Sequence, residues 1–201
     1  SPSTATTGPA TTARATDAPA VTAAPTAAAP TSAAATTVPA GPAGADARAM
    51  VAALAADEMG GRDDGTAGSL AAQEYLAGQL AEFAEPAFPD REGFEAYVQP
   101  GPSGNVVGIV RGAELPDEYV VLGAHYDGLG SDCHQLEPDD TVCNAATDNA
   151  TGVAVALTAA RQLVADGAPR RSIVVAFWDR EEDGLLGSAD FLAAPPIPTE
   201  S

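Results

Sequence analysis

The chain contains no lysine: all nine of its basic residues are arginine, against 28 Asp and Glu, and the formal net charge is −19. Such an acid excess repels a phosphate backbone and an anionic bilayer, so nucleic-acid and membrane-surface binding are excluded as main tasks. Long apolar runs are also missing. No stretch of eighteen apolar residues exists, and a spanning helix needs about twenty. Histidine and cysteine are scarce, at two residues each, which leaves no room for a zinc finger or a multi-disulfide scaffold. There is no initiator Met and no signal-peptide pattern at Ser1, and the chain is read as a processed or trimmed product.

What is present divides into two parts. Residues 1–44 are almost entirely Ala, Thr, Pro, Ser and Gly, with Arg14 and Asp17 as the only charges and no aromatic side chain. Such a composition cannot bury enough apolar surface to offset the entropy of ordering, so a disordered stalk is expected there. It suits a passive linker, an O-glycosylated spacer or a tether to the cell envelope. From Ala45 to Ser201, Val/Ile runs alternate with Ala/Leu-rich helical runs. This is the pattern of a folded α/β domain.

Within that domain the periodicity predicts a helix over Ala45–Met59, stopped by Gly60 and Gly61. A second helix follows, capped by Ser69 and carrying Leu76, Leu80 and Phe83 on one face. The alternation Phe94, Ala96, Val98 predicts a half-buried strand. Further strands are expected at Asn105–Arg111, at Glu118–His125 and at Ser172–Trp178. Helices are expected at Ala150–Asp166 and Gly187–Ala194. Trp178 is assigned to the core. A strand, a helix and a second apolar strand in series imply a crossover unit in a sheet flanked by helices.

Three polar clusters fall at the ends of these elements: His125 with Asp127, Asp148, and Glu181 with Glu182. Open α/β sheets bind ligands outside the carboxyl ends of their strands. An imidazole and several carboxylates suit zinc. Asp127, two residues past His125, is placed to accept a hydrogen bond from the far ring nitrogen and so fix its tautomer. Of two neighbouring glutamates, one can bind a metal while the other faces a water as general base. Each cluster also has a plainer reading. His125 and Asp127 make a surface pair, Asp148 caps the following helix, and Glu181–Asp183 is a solvated acidic run.

Cys133 and Cys143 lie in one loop between the first two clusters. They form either a disulfide or a pair of thiols near a metal, and the stalk favours the disulfide and an extracytoplasmic or secreted protein. His134 stands in the same loop, where a solvent-facing role is the plainer reading and a reach to the metal the other. The acidic run Glu137–Asp140 is a solvated segment or a weak Ca²⁺ site.

In longer context, GAHYD, ATDNATGVA and EEDGLLGS resemble the co-catalytic two-zinc metallo-aminopeptidases. That family includes bacterial secreted leucyl aminopeptidases, with glutamate carboxypeptidase II and the transferrin receptor ectodomain as relatives. The upstream GRDDGTAGSLAAQEYLAGQL is similar to the family's opening segment. The resemblance implies a three-layer α/β/α fold with a mixed, partly parallel sheet. It also implies peptide substrates and removal of the N-terminal residue. His125 then matches a ligand of one zinc and Asp127 the carboxylate behind it. Asp148 matches the bridge between two zinc ions, with a cis bond to Asn149. Glu181 matches the general base and Glu182 a ligand of the other zinc. The family also uses a later Asp and a later His, whereas only Asp183, Asp190 and Glu200 follow Glu182 here. A C-terminally truncated member, weakly active as this chain alone, is therefore expected. The alternatives are a non-catalytic, receptor-like module of the same fold and a glutaminyl-cyclase-like enzyme with one zinc.

Overall fold

The computed structural model describes residues 42–131, 133 and 139–198. Residues 1–41 of the expected stalk lie outside the described residues. The first helix, α1, runs Pro42–Leu54, starting ahead of the predicted Ala45, with Met50 and Leu54 buried on its inner face. It does not continue to Met59. Ala56 turns extended at φ −72° and ψ 149°, and a separate 3-10 turn covers Asp57–Arg62. Helix α2 spans Ala67–Ala81. Its cap is Thr66, whose hydroxyl accepts from the Ser69 N–H at 3.2 Å. The cap thus lies three residues before the predicted Ser69, which sits inside the first turn.

Four strands form one sheet in the order β1-β2-β4-β3, from β1 (Glu85–Pro86), β2 (Val106–Val110), β3 (Leu115–His125) and β4 (Arg171–Trp178). β1 pairs antiparallel with β2, and β2 antiparallel with β4, whereas β3 and β4 run parallel. Parallel neighbours need a long connection. Here it contains helix α3, Thr151–Ala165, which confirms the predicted crossover. Helix α4, Leu186–Ala193, follows β4.

β4 is central, and its apolar run is buried on both faces, as such a strand requires. Its side chains alternate. Ile173, Val175 and Phe177 join Leu54, Leu76 and Leu157 in the cluster under α1, α2 and α3. Val174 and Ala176 face the other way and meet Phe191 of α4, with Trp178 packed against them. The Trp178 and Phe191 rings lie edge to face at 4.9 Å between centroids. Helices therefore cover both faces of a mixed sheet, the three-layer α/β/α arrangement expected.

One predicted strand is absent. Gly93–Tyr97 is a 3-10 turn, and only Val98 bridges to Val106. Gly93 sits at φ 60°, the Arg91 guanidinium donates to the Val98 carbonyl at 2.8 Å, and it pairs with Glu95 at 2.9 Å. These local contacts fold the backbone before an alternating strand can extend.

Replacing the Thr66 cap removes one bond to an otherwise unpaired helical N–H. Thr66→Ala is expected to lower unfolding free energy by about 1 kcal/mol, a fall of roughly 2–4 °C in melting temperature, read by thermal denaturation.

Candidate metal centre

The parallel pairing of β3 with β4 brings two of the predicted clusters together. His125, the last residue of β3, is in register with Trp178, the last of β4. The ladder continues one step further, with the Tyr126 N–H donating to the Trp178 carbonyl at 2.9 Å. Both chains leave the sheet at the same end. One carries Asp127 and the other Glu181 and Glu182.

β4 ends in a tight turn. Arg180 adopts φ 54°, and the Gly184 and Leu185 N–H groups both donate to the Glu181 carbonyl at 2.9 Å. The turn is pinned from β2 by buried Asn105. Its side-chain oxygen accepts from the Asp179 N–H at 2.9 Å, and its amide donates to the Gly187 carbonyl at 2.7 Å. Gly187 must be glycine, because a Cβ there would lie 2.0 Å from the Asp179 carbonyl oxygen.

Asp127 is 2 % exposed and serves two partners. One oxygen accepts from the Glu182 N–H at 3.1 Å, and the other faces His125 Nδ1 at 3.3 Å. The second contact lacks the alignment of a full hydrogen bond, and no other group reaches either atom. His125, 11 % exposed, directs Nε2 outward to Asp148 Oδ1 at 2.9 Å and to Glu181 Oε2 at 3.9 Å. His125, Glu181 and Glu182 each present a ligand atom within 4.8 Å of the others. Asp148 joins this group through His125.

Burial opposes charge on the imidazole. The facing carboxylates Asp127, Glu181 and Asp148 outweigh it and raise the His125 pKa to about 9. Glu182 is also raised, first by burial and then by the charges of Asp148 and Glu181. Behind them Asp179 is raised to about 6, by burial above all, against the Gly104 N–H that donates to it at 3.0 Å. Several carboxylates around one imidazole repel each other, and a divalent cation relieves that repulsion. The donor set of one nitrogen and several carboxylate oxygens fits such an ion. With Nδ1–H turned to Asp127, the neutral ring offers its Nε2 lone pair to the same space.

The plainer readings fare differently. Asp148 does not cap α3. It lies in the turn Ala146–Ala150, with a cis bond to Asn149, and Asn149 Oδ1 accepts from the Gly152 N–H at 3.0 Å instead. His125 and Asp127 are a buried pair and not a surface one. Glu181, 35 % exposed, and Asp148, 76 % exposed, face solvent. Cys133 and Cys143 are disulfide-bonded with Cα atoms 6.0 Å apart. His134 and Glu137 of the acidic run lie outside the described residues.

The sequence model of peptidase family M28 matches residues 105–200. A probable zinc metalloprotease of Leptosphaeria maculans is 34 % identical over 145 residues, covering 66 % of this chain and 32 % of that protein. Aminopeptidase NAALADL1 of Rattus norvegicus is 39 % identical over 94 residues, covering 44 % of this chain and 11 % of its own length. The chain thus spans about a third or less of these curated relatives. Among solved structures, a Zn-dependent exopeptidase from Parabacteroides distasonis superposes with a TM-score of 0.57 at 24 % identity, covering 78 % of this chain and 57 % of that one. A leucine aminopeptidase precursor from Bacteroides thetaiotaomicron gives 0.55 at 21 %, covering 78 % and 58 %. These structures share the fold.

Asp127 orients the imidazole and holds the Glu182 backbone at once. Asp127→Ala is expected to weaken Zn²⁺ binding about 10–100-fold, measured by competition with a chromogenic chelator. Affinity within threefold of the parent would show that Asp127 orients neither group.

Proposed function

We propose that this chain, whose residues 105–200 carry the peptidase family M28 pattern, contributes His125, Asp148, Glu181 and Glu182 to a zinc aminopeptidase site. The observation that carries this reading is the convergence of His125, Glu181 and Glu182, with ligand atoms within 4.8 Å of one another, where two parallel strands end. In this reading the site takes two zinc ions. One would be held by His125 and Asp148 and the other by Asp148 and Glu182. When bound, zinc supplies Lewis acidity for a carbonyl oxygen and acidifies water.

The chain's own residues then have distinct tasks. Asp127 keeps the His125 proton on Nδ1, which leaves Nε2 free as a donor. Glu181 Oε2, beside His125 Nε2 but partly open to solvent, takes a proton from the attacking water and returns it to the departing amine. One C–O bond forms, the C–N bond after the first residue breaks, and the products are a free amino acid and a shortened peptide.

Secretion belongs to this proposal as well. The Cys133–Cys143 pair suits an oxidising compartment, and the Ala/Thr/Pro-rich residues 1–41 suit a spacer or an envelope tether. No helix among the described residues is long and apolar enough to cross a membrane.

The decisive assay is release of nitroaniline from aminoacyl p-nitroanilides, with and without zinc. Activity is expected to require zinc. Glu181→Gln is expected to cut turnover by about 10²–10⁴ while zinc affinity stays within about threefold. Cyclisation of N-terminal glutamine without hydrolysis would replace the proposal with a cyclase. Zinc binding with neither reaction, in a protein that also supplies the later Asp and His of the family, would leave a binding module. Undiminished hydrolysis by Glu181→Gln would remove Glu181 as the base.

A further inference from the structure

Arg62 is fully buried, which is unusual for an arginine, and no carboxylate among the described residues makes a hydrogen bond with it. Its guanidinium is used on backbone carbonyls. Nε donates to the Tyr126 carbonyl at 2.5 Å, Nη1 to Asn144 at 3.0 Å and to Leu54, and Nη2 to Ala145 at 2.9 Å. Tyr126 lies between His125 and Asp127. Ala145 lies three residues before Asp148. Leu54 is the end of α1. One planar fork therefore holds the backbones of two separate ligand segments and ties both to the first helix.

The local chain is shaped for this task. Gly60, Gly61 and Arg62 all have positive φ, at 54°, 72° and 59°, so the backbone turns sharply and drives the side chain inward. A Cβ on Gly61 would lie 2.5 Å from the Gly130 carbonyl oxygen and 2.9 Å from that of Cys143. The turn is thus wedged between the loop leaving His125 and the loop arriving at Asp148. On the far side, the Arg62 carbonyl accepts from the Gly128 N–H at 3.4 Å. Asp127 supplies the negative charge that offsets burial of the guanidinium.

The geometry points to Arg62 as the positioning residue that fixes the His125–Asp127 segment against the Asp148 segment, and so sets the 2.9 Å approach of His125 Nε2 to Asp148 Oδ1. Its role as an organiser of metal ligands rests on the zinc reading above. Its role as a clamp between two loops does not. A lysine cannot replace it, because one ammonium has no fork with which to reach carbonyls on three segments.

The test uses Arg62→Met and Arg62→Lys in the full chain, with Leu76→Ala as a control for loss of stability in the core. Hydrogen–deuterium exchange is followed in the metal-free proteins, and Zn²⁺ affinity is measured by chelator competition below every melting transition. Arg62→Met is expected to speed exchange roughly tenfold or more in residues 126–130 and 143–150, while β2 and β4 stay protected. It is expected to weaken zinc by about 10–100-fold. Arg62→Lys is expected to loosen the same two segments to a smaller degree. Leu76→Ala is expected to lose stability while its zinc affinity stays within about threefold of the parent. Should Arg62→Met fail to fold, Arg62→Lys carries the comparison. Exchange in Arg62→Lys indistinguishable from the parent, or acceleration spread evenly over the sheet, overturns the inference. Should the parent bind no zinc while both loops loosen as expected, the zinc reading falls and the clamp stands.

Discussion

Everything at this site depends on the last rung of the β3–β4 ladder, where His125 is opposite Trp178. Parallel strands deliver their C-terminal ends to one side, so residues 53 or more positions apart in sequence leave the sheet together. Asp127 turns that proximity into fixed geometry. It reaches both exits, accepting from the Glu182 N–H and facing the His125 ring. A slip of one residue in this register would send His125 to the opposite face and leave Asp127 without the amide that anchors it. Burial of β4 on both faces guards against such a slip, because Ile173, Val175 and Phe177 fit under α1–α3 while Val174 and Ala176 fit under α4.

Accessibility across the site follows the work each group is given. Asp127 is buried, where a fixed dipole partner is worth most and water competes least. His125 is nearly buried and keeps only its outer nitrogen available. Glu181 and Asp148 are open to solvent, which lowers the cost of holding carboxylates near one another. At the buried end the Asp127 carboxylate is matched by the Glu182 N–H, the His125 ring and the charge of Arg62. The exposed end concentrates negative charge and is the end that a cation and a substrate can reach.

Much of this was legible in the sequence because its determinants are local. The continuous apolar run SIVVAFW identified a strand buried on both faces, and the spacing of Val153, Leu157 and Ala160 identified α3. The candidate ligand residues stood at element ends in recognisable short patterns. The misreadings arose where distant or backbone-level contacts decide. The Phe94–Val98 alternation has the period of a strand, but the Arg91 bond to the Val98 carbonyl and the turn at Gly93 close it into a 3-10 segment. Thr66 and Ser69 are both good caps by type, and only the angle at which the chain enters α2 selects Thr66. Asn105 reads as the first residue of an expected strand. Its partners lie 74 and 82 residues away, beyond any local window.

Arg62 was the least legible of all, since it stands in an acidic, glycine-rich turn that reads as surface loop. The clues available were the Gly61-Arg62 step that opens the family-like segment GRDDGTAGSLAAQEYLAGQL and the Gly60–Gly61 pair directly before the arginine. Two glycines ahead of a charged residue were assigned to stopping a helix, and α1 had in fact already stopped at Leu54. They have a different use. Both turn the backbone at positive φ, 54° and 72°, and Gly61 passes so close to Gly130 and Cys143 that any side chain there would collide. That close approach is what brings the guanidinium to the carbonyls of Tyr126, Asn144 and Ala145. Since carbonyls belong to every residue type, no side-chain pattern at those positions advertises the contact. The site thus has two kinds of determinant. Its candidate ligands are written in residue identity, and the clamp proposed to set their spacing is written in glycine conformation and main-chain oxygen.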